Sequence, residues 1–280
     1  MARTPFLGLI LLLLTGCGRS GHIVVGSKNF TEQVILGEIV AQQIERRGLS
    51  VDRKLNLGGT LLAHQALVAG QIDVYPEYTG TALMEVLKLP ASSDATAVAN
   101  RVRSEYQSRW KIEWMPPLGF NNTFAMVVDG GFATLSEAAK RSTGWKLGVG
   151  YEFLTRADGL PGLLSTYRLP LDGTPRSMDL GLLYQALKQK QVDMVAGSAT
   201  DGLISAMGLT TLQDDKAYFP PYEASLAVRG AALEANPALR GALDELSGKI
   251  STDQMRKMNY QVDGDHRPVR DVAKAFLESR

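Results

Sequence analysis

The chain has 280 residues, 30 Lys plus Arg against 29 Asp plus Glu, a formal net charge of +1 and a single cysteine. Charge this evenly balanced gives no electrostatic reason for a nucleic acid or an acidic polymer as partner. One cysteine excludes a disulfide scaffold, so stability must come from a packed core.

The N-terminus carries Arg3, the apolar run Pro5 to Leu14, and then Leu14-Thr15-Gly16-Cys17. The run is well short of the roughly 20 residues that span a bilayer and it ends in small residues, so it reads as an export signal and not as a transmembrane helix. Cys17, directly after Leu-Thr-Gly, resembles the lipidated cysteine of a bacterial lipobox. Residues 1–17 are therefore expected to be a lipoprotein signal with Cys17 as the first mature residue; an ordinary secretory peptide is the other reading. Several acyl chains on Cys17 would hold the protein on a membrane surface. The remainder has no second apolar run of membrane length, no low-complexity tract and no sustained heptads.

Ile23 to Gly26 reads as a short strand, followed by a helix capped by Thr31 that runs to about Arg47 and ends at Gly48. Val51 to Leu57 alternates apolar and polar side chains, and Gly58-Gly59-Thr60 turns into a helix stopped by Gly70. In Ile72 to Thr81, IDVYPEYTGT, Pro76 cannot donate to a sheet ladder, which predicts a strand ending at about Tyr75. Tyr78, Thr79 and Thr81 are then left in a loop beyond the strand's carboxyl end, where open α/β sheets bind ligands. Asp94 opens an amphipathic helix to about Trp110, followed by strands at Ile112 to Met115 and Thr123 to Val128. Further helices are expected at Pro161 to Tyr167, Asp179 to Gln189, Pro237 to Gly248, Thr252 to Tyr260 and Val269 to Leu277.

This alternation predicts an α/β fold of mainly parallel sheets with covering helices, and the length suits two lobes sharing the chain. Lobe I is expected to comprise residues 23–123 and 222–280, and lobe II residues 124–221. An internal echo supports two lobes: LVAGQIDVYPEYTG, Leu67 to Gly80, is matched in outline by LKQKQVDMVAGSATDG, Leu187 to Gly202. In both, a helix runs through Gln, a β-branched residue and Asp into a strand that opens on a Thr- and Gly-bearing loop.

Enzyme signatures are missing. His22, His64 and His266 are scattered, no HExxH, GxSxG or GxxxxGK[ST] occurs, and Gly148-Val149-Gly150 lacks the third glycine of a dinucleotide fingerprint. No metal and no cofactor are expected. Asp73, Glu77, Asp193 and Asp201 lie beside strand ends, where carboxylates usually satisfy turns and caps. Candidate binding groups sit in loops after strands. Lys28 precedes a helix start, where an anion is favoured. Asn121 lies in GFNNT at the expected crossing into the second lobe, with Phe124 next. Arg156 could clamp a carboxylate in a fork. Ser198 and Thr200 occupy the second echo loop, and Tyr222 lies where the chain crosses back.

GSKNFTEQ (Gly26 to Gln33), NLGGT (Asn56 to Thr60), IDVYPEYTGTAL (Ile72 to Leu83) and GFNNT (Gly119 to Thr123) occur in order along the chain. LTR with DGLPGL (Leu154 to Leu163), DLGLLYQAL (Asp179 to Leu187), ATDG (Ala199 to Gly202) and FPPY (Phe219 to Tyr222) complete the series. Together they resemble the substrate-binding proteins of osmoprotectant ABC importers, the glycine betaine, choline and carnitine group. The resemblance implies a type II periplasmic-binding-protein-like fold whose lobes close on the ligand. It also implies an extracytoplasmic lipoprotein, on the periplasmic or extracellular face, that works as a monomer with membrane permease subunits. In that family tyrosines cage a trimethylammonium head, and an aromatic face attracts such a cation by about 0.5–2 kcal/mol. Carried over by motif, Tyr78 and Tyr222 are cage members, while Lys28, Thr81 and Arg156 face the carboxylate. Phe124 stands where a tyrosine is usual and Ser198 where an aromatic is usual. These departures open a second expectation, a heterocyclic solute such as ergothioneine. An envelope enzyme on the same scaffold, of the prephenate-dehydratase or deaminase class, is the expectation from a different class.

Overall fold

The structure is a computed structural model that describes residues 22–280; the signal segment and Cys17 lie outside the described residues. Ten strands alternate with helices: β1 (His22–Gly26), β2 (Ser50–Lys54), β3 (Val74–Tyr78), β4 (Ile112–Trp114), β5 (Phe124–Val128), β6 (Leu147–Val149), β7 (Arg176–Ser177), β8 (Met194–Ser198), β9 (Thr210–Thr211) and β10 (Ala224–Arg229). They form two five-stranded sheets, β2-β1-β3-β10-β4 and β7-β6-β8-β5-β9. The α/β class expected from the sequence is the one observed.

The two orders superimpose. In each sheet a central strand, β3 or β8, has a parallel neighbour on one side and an antiparallel one on the other. The sequence echo is the visible trace of this repeat. In both copies the helix ends with a residue at positive φ, Gly70 or Lys190. The next glutamine donates its N–H to the helix, Gln71 to Ala66 (2.8 Å) and Gln191 to Ala186 (2.9 Å). The aspartate that follows turns back on the neighbouring segment: Asp73 accepts from the Val24 N–H (2.9 Å) and Asp193 from the Lys146 N–H (3.0 Å). Asp73 also pairs with Arg229 at 2.8 Å. Asp73 and Asp193 thus secure strand starts.

One boundary differs. β3 does not stop at Tyr75 but runs from Val74 through Pro76 to Tyr78, all of it buried, so Tyr78 is the last strand residue and not part of a loop. A proline is tolerated only where no ladder bond is asked of its nitrogen. Pro76 stands opposite Leu226, whose carbonyl is turned away to accept from the Met115 N–H (2.9 Å), and β1 pairs with β3 only at Val25 and Val74. Thr31 is likewise not the cap: the helix spans Thr31–Arg46 with Phe30 at its N-cap, and the Thr31 hydroxyl donates to Asp263 (2.6 Å). The helix Ala95–Trp110 follows the sequence reading, with the Asp94 carboxylate accepting from the Ala97 N–H.

The largest core lies under the first sheet, where Ile35, Ile39 and Ile44 of the helix Thr31–Arg46 meet Leu239, Val272 and Phe276 of the C-terminal helices. The C-terminal third of the chain thus returns to the first half. The second half has its own cores on either face of β5 and β8, built on Met126, Val149 and Met194 and on Val127, Tyr184 and Val195. Two segments cross between the halves, 115–123 and 212–223, and the loops after β1, β3, β6 and β8 face the space between the sheets.

Asp73→Ala is expected to lower unfolding free energy by about 1–3 kcal/mol, because it orphans the part-buried Val24 N–H and strips Arg229 of its partner. Asp193→Ala, whose equivalent bond is exposed, is expected to lose less than about 1.5 kcal/mol. Urea titrations of both variants check this; a greater loss at Asp193 would contradict the assignment.

Candidate functional site

Four clusters of buried polar groups line the space between the halves. The first is at the carboxyl end of β1. Lys28, 3% exposed, points its ammonium at Glu77, 0% exposed, with Nζ to Oε1 at 2.6 Å. Glu77 also accepts from the Tyr75 hydroxyl (3.1 Å) and the Tyr78 N–H (2.7 Å). The same ammonium lies 4.8 Å from the centre of the Tyr78 ring and 3.4 Å from the Thr60 hydroxyl.

The second cluster is at the opposite wall. Arg156, after β6, holds Asp158 in a two-point ion pair, with Nε to Oδ1 at 2.8 Å, and both terminal nitrogens lie 3.4 Å from the Thr81 hydroxyl of the first half. Tyr222 donates its hydroxyl to Asp158, and Tyr218 donates to the carbonyls of Ala157 and Gly159, so the returning segment fixes the arginine loop from two points. The Phe124 ring lies 5.2 Å from the Arg156 guanidinium and 5.6 Å from the Tyr222 ring. Gly80 makes this close approach possible, because a Cβ there would collide with the Tyr222 ring and the Pro221 carbonyl.

The third cluster surrounds Glu32, in the first turn of the helix Thr31–Arg46. Its carboxyl accepts from the Tyr78 hydroxyl (2.7 Å), Asn122 Nδ2 (2.8 Å) and Asn259 Nδ2 (3.1 Å), and is hydrogen-bonded with the Thr200 hydroxyl. Complete burial pushes its pKa up to about 7, against the opposing effect of the bonds from Thr200, Tyr78 and Asn259 and with a further push from the nearby Asp201. The fourth joins the halves at the N-terminus of the helix Thr60–Val68. There the Glu152 carboxylate of the second half accepts from the Thr60 N–H (2.8 Å), where free amides and the helix dipole favour an anion. A Cβ at Gly59 would displace the Glu152 carboxylate and the Tyr151 hydroxyl.

Of the residues singled out from the sequence, Lys28, Tyr78, Thr81, Phe124, Arg156, Thr200 and Tyr222 are all brought to this space. Ser198 is there too, directly across the strand pair from Phe124 in the β5–β8 register. The two departures from the aromatic pattern are thus cross-strand neighbours on one wall. Ser198 donates its N–H to Asp201 (2.9 Å), which also receives the Tyr184 hydroxyl; burial raises the Asp201 carboxyl to about 6. Asn121 is different: it is exposed, and its side-chain carbonyl accepts from the Tyr222 N–H (2.7 Å), whereas its neighbour Asn122 is the amide turned inward. Glu32, Asn122, Glu152, Asp158 and Asn259 were not singled out. The GFNNT motif contains Asn122, but only strand register decides which amide faces inward. Asn259 carries no local signal, because a helix far along the chain brings it in. Among the described residues no group of three or more His, Cys, Asp or Glu could hold a metal ion.

Residues 21–279 match the family described as the substrate binding domain of ABC-type glycine betaine transport system. The chain is 34% identical over 276 residues to a carnitine transport binding protein of Listeria monocytogenes, covering 95% of this chain and 89% of that one. It is 32% identical over 263 residues to an ergothioneine transport permease/ergothioneine binding protein of Helicobacter pylori, covering 91% of this chain. That relative is longer, and this chain spans 47% of its length. A crystal structure of a glycine betaine/carnitine/choline ABC transporter superimposes with a TM-score of 0.78 at 30% identity, over 92% of this chain and 98% of that one.

Lys28→Ala is expected to destabilise the fold by about 3–5 kcal/mol, since it leaves Glu77 charged, buried and unpaired. The double variant Lys28→Met with Glu77→Gln is expected to recover most of that loss. Urea unfolding of the three proteins checks it; a single variant as stable as wild type would contradict the buried pair.

Proposed function

The chain belongs to the family of substrate-binding domains of ABC-type glycine betaine transport systems, and we propose that it is the solute receptor of an ABC importer. It captures a small zwitterionic or quaternary-ammonium solute, glycine betaine or a relative such as carnitine or choline, outside the cytoplasmic membrane and delivers it to the permease subunits. The observation that carries this reading is that the Tyr78 ring lies beside the Lys28 ammonium, and the Phe124 and Tyr222 rings beside the Arg156 guanidinium that touches Thr81 of the first half.

The chemistry of such a solute matches the groups. A trimethylammonium head cannot donate hydrogen bonds and is attracted by ring faces. The carboxylate of a zwitterion needs N–H donors. Arg156 has five, of which Asp158 takes two, and Lys28 has three, of which Glu77 takes one. Because each cation already has a carboxylate partner, these two pairs are neutral together, which suits a zwitterion that is neutral overall, glycine betaine or carnitine, better than the cation choline. Closure follows from the same contacts: lobe I, residues 23–123 with 222–280, and lobe II, residues 124–221, meet through Thr81 with Arg156 and Thr60 with Glu152. Among the described residues no helix is long and apolar enough to cross a membrane. Attachment at the membrane surface would come from lipidation at Cys17.

A second reading, a heterocyclic solute such as ergothioneine, is favoured by one observation. Ser198 faces Phe124 across the strand pair, so the wall that an aromatic residue would fill is short on that side.

Tyr78→Ala and Tyr222→Ala are each expected to weaken solute binding roughly 2–30-fold by titration calorimetry, the equivalent of one ring face. Ser198→Tyr is expected to strengthen glycine betaine binding and weaken ergothioneine binding. Unchanged affinity in both tyrosine variants would sink the site assignment.

A further inference from the structure

The hydrogens around Glu32 do not balance if its carboxyl is ionised. Glu32, Thr200 and Asn122 form a triangle: Thr200 Oγ1 lies against Glu32 Oε2 and 2.9 Å from Asn122 Oδ1, while Asn122 Nδ2 lies 2.8 Å from Glu32 Oε1. A threonine hydroxyl has one proton. With a carboxylate at Glu32, that proton can serve Glu32 or Asn122 but not both, and one close oxygen–oxygen contact is left with no hydrogen between its atoms. Turning the Asn122 amide over moves the fault without curing it, because its oxygen then faces Glu32 Oε1. A proton on Glu32 Oε2 cures it. The carboxyl O–H donates to Thr200, the Thr200 O–H to Asn122 Oδ1, and the Asn122 N–H to Glu32 Oε1, so that three donors meet three acceptors in a ring. Tyr78 and Asn259 still donate to the two carboxyl oxygens.

Thr200 comes from the second half, while Glu32, Tyr78 and Asn259 belong to the first, so the ring exists only when the halves are together. We propose that Glu32 is a positioning residue that clasps the halves as a neutral carboxylic acid, so that closing over a solute takes up one proton from water. This rests on the reading above that the halves close on a solute. The clasp also reaches the cage, because the Tyr78 hydroxyl donates to the same carboxyl.

The charged groups around Glu32 agree with a neutral acid. Asp201 approaches from the second half and opposes a second negative charge. Asp263, on the helix Thr252–Asp263, accepts from the Thr31 hydroxyl at 2.6 Å. Arg256 of that helix is turned to the Ala199 carbonyl (2.9 Å), and the Lys28 ammonium beside Tyr78 is held by Glu77. Burial holds the Glu32 proton until about pH 7. Opening hydrates the carboxyl and returns it toward the ordinary carboxylate range, so binding tightens as pH falls through 7.

The test is titration calorimetry of the mature protein with glycine betaine, choline, carnitine and ergothioneine at pH 6 and pH 8, in two buffers of different ionisation enthalpy. Wild type is expected to bind about tenfold more tightly at pH 6 and to take up close to one proton there. Glu32→Gln, whose amide nitrogen can donate to Thr200 as the acid does, is expected to bind with the same affinity at both pH values and to take up none. No uptake in wild type overturns the proposal, as does a Glu32→Gln protein that keeps the pH dependence or an Asp201→Asn protein that loses it. Should none of the four solutes bind, the functional reading fails, and the radius of gyration of the solute-free protein decides the proton alone. A radius that falls as pH is lowered from 8 to 6, and does not fall in Glu32→Gln, supports the clasp; a radius independent of pH overturns it. Should Glu32→Gln fail to fold, Thr200→Val, which breaks the ring but leaves Glu32 buried on closing, is expected to bind more weakly at both pH values and still to take up a proton at pH 6; unchanged affinity overturns the clasp.

Discussion

Charge taken out of water must be paired or neutralised, and that constraint organises everything between the two sheets. Lys28 lies against Glu77, and Arg156 against Asp158, each pair almost wholly removed from solvent. Removing one member of such a pair is far more damaging than replacing both, because the survivor stays buried and charged. The pairs therefore fix the positions of two cations and of the rings beside them before any solute arrives. Tyr78 lies beside the first cation and Phe124 beside the second, while Tyr222 is tied to the carboxylate that holds Arg156. A rigid set of rings and N–H groups of this kind loses little freedom on binding, which is how preorganisation becomes affinity.

The repeat explains why the groups meet. Each half follows its central strand with a segment that carries Thr and Gly, a short helix Thr79–Thr81 in the first, and the strand orders are equivalent, so the two segments are presented by the same architecture. Thr81 comes from one and Thr200 from the other. Each touches a buried group of the opposite half, Arg156 in one case and Glu32 in the other. Closing is thereby read at two symmetry-related points, while Glu152 at the Thr60 helix start adds a third contact across the gap. The helix Thr252–Asp263, from the C-terminal third of the chain, packs against the short helix Gly202–Ala206 of the second half and brings Asn259 to Glu32. The return of the chain to the first half thus completes the site as well as the core.

Much of this was legible in the residues. The α/β alternation, the Asp94-capped helix and the crossing near GFNNT came from period and capping. The echo showed the repeat because both copies need the same glutamine and aspartate at the same turn. Pro76 misled because the rule against proline in a strand concerns its missing N–H. That rule has no force opposite Leu226, where no bond is asked. The rings and cations of the site were legible because their motifs lie at or near strand ends. Their partners were not. Glu32 looks like an acidic residue favouring a helix start, and Asn259 lies in an amphipathic helix with nothing to mark it. Their roles depend on packing between segments more than two hundred residues apart. Asp158 sits two residues beyond Arg156, and only the fold shows it holding the guanidinium.

Small-angle X-ray scattering of the mature protein, with and without saturating glycine betaine or ergothioneine, tests capture between the halves most directly. The account expects a smaller radius of gyration with a bound solute than without it, and an extended population returning when the solute is removed. Saturable binding of either solute with an unchanged radius would contradict it, since the residues that meet here from both halves would then have no closing to perform.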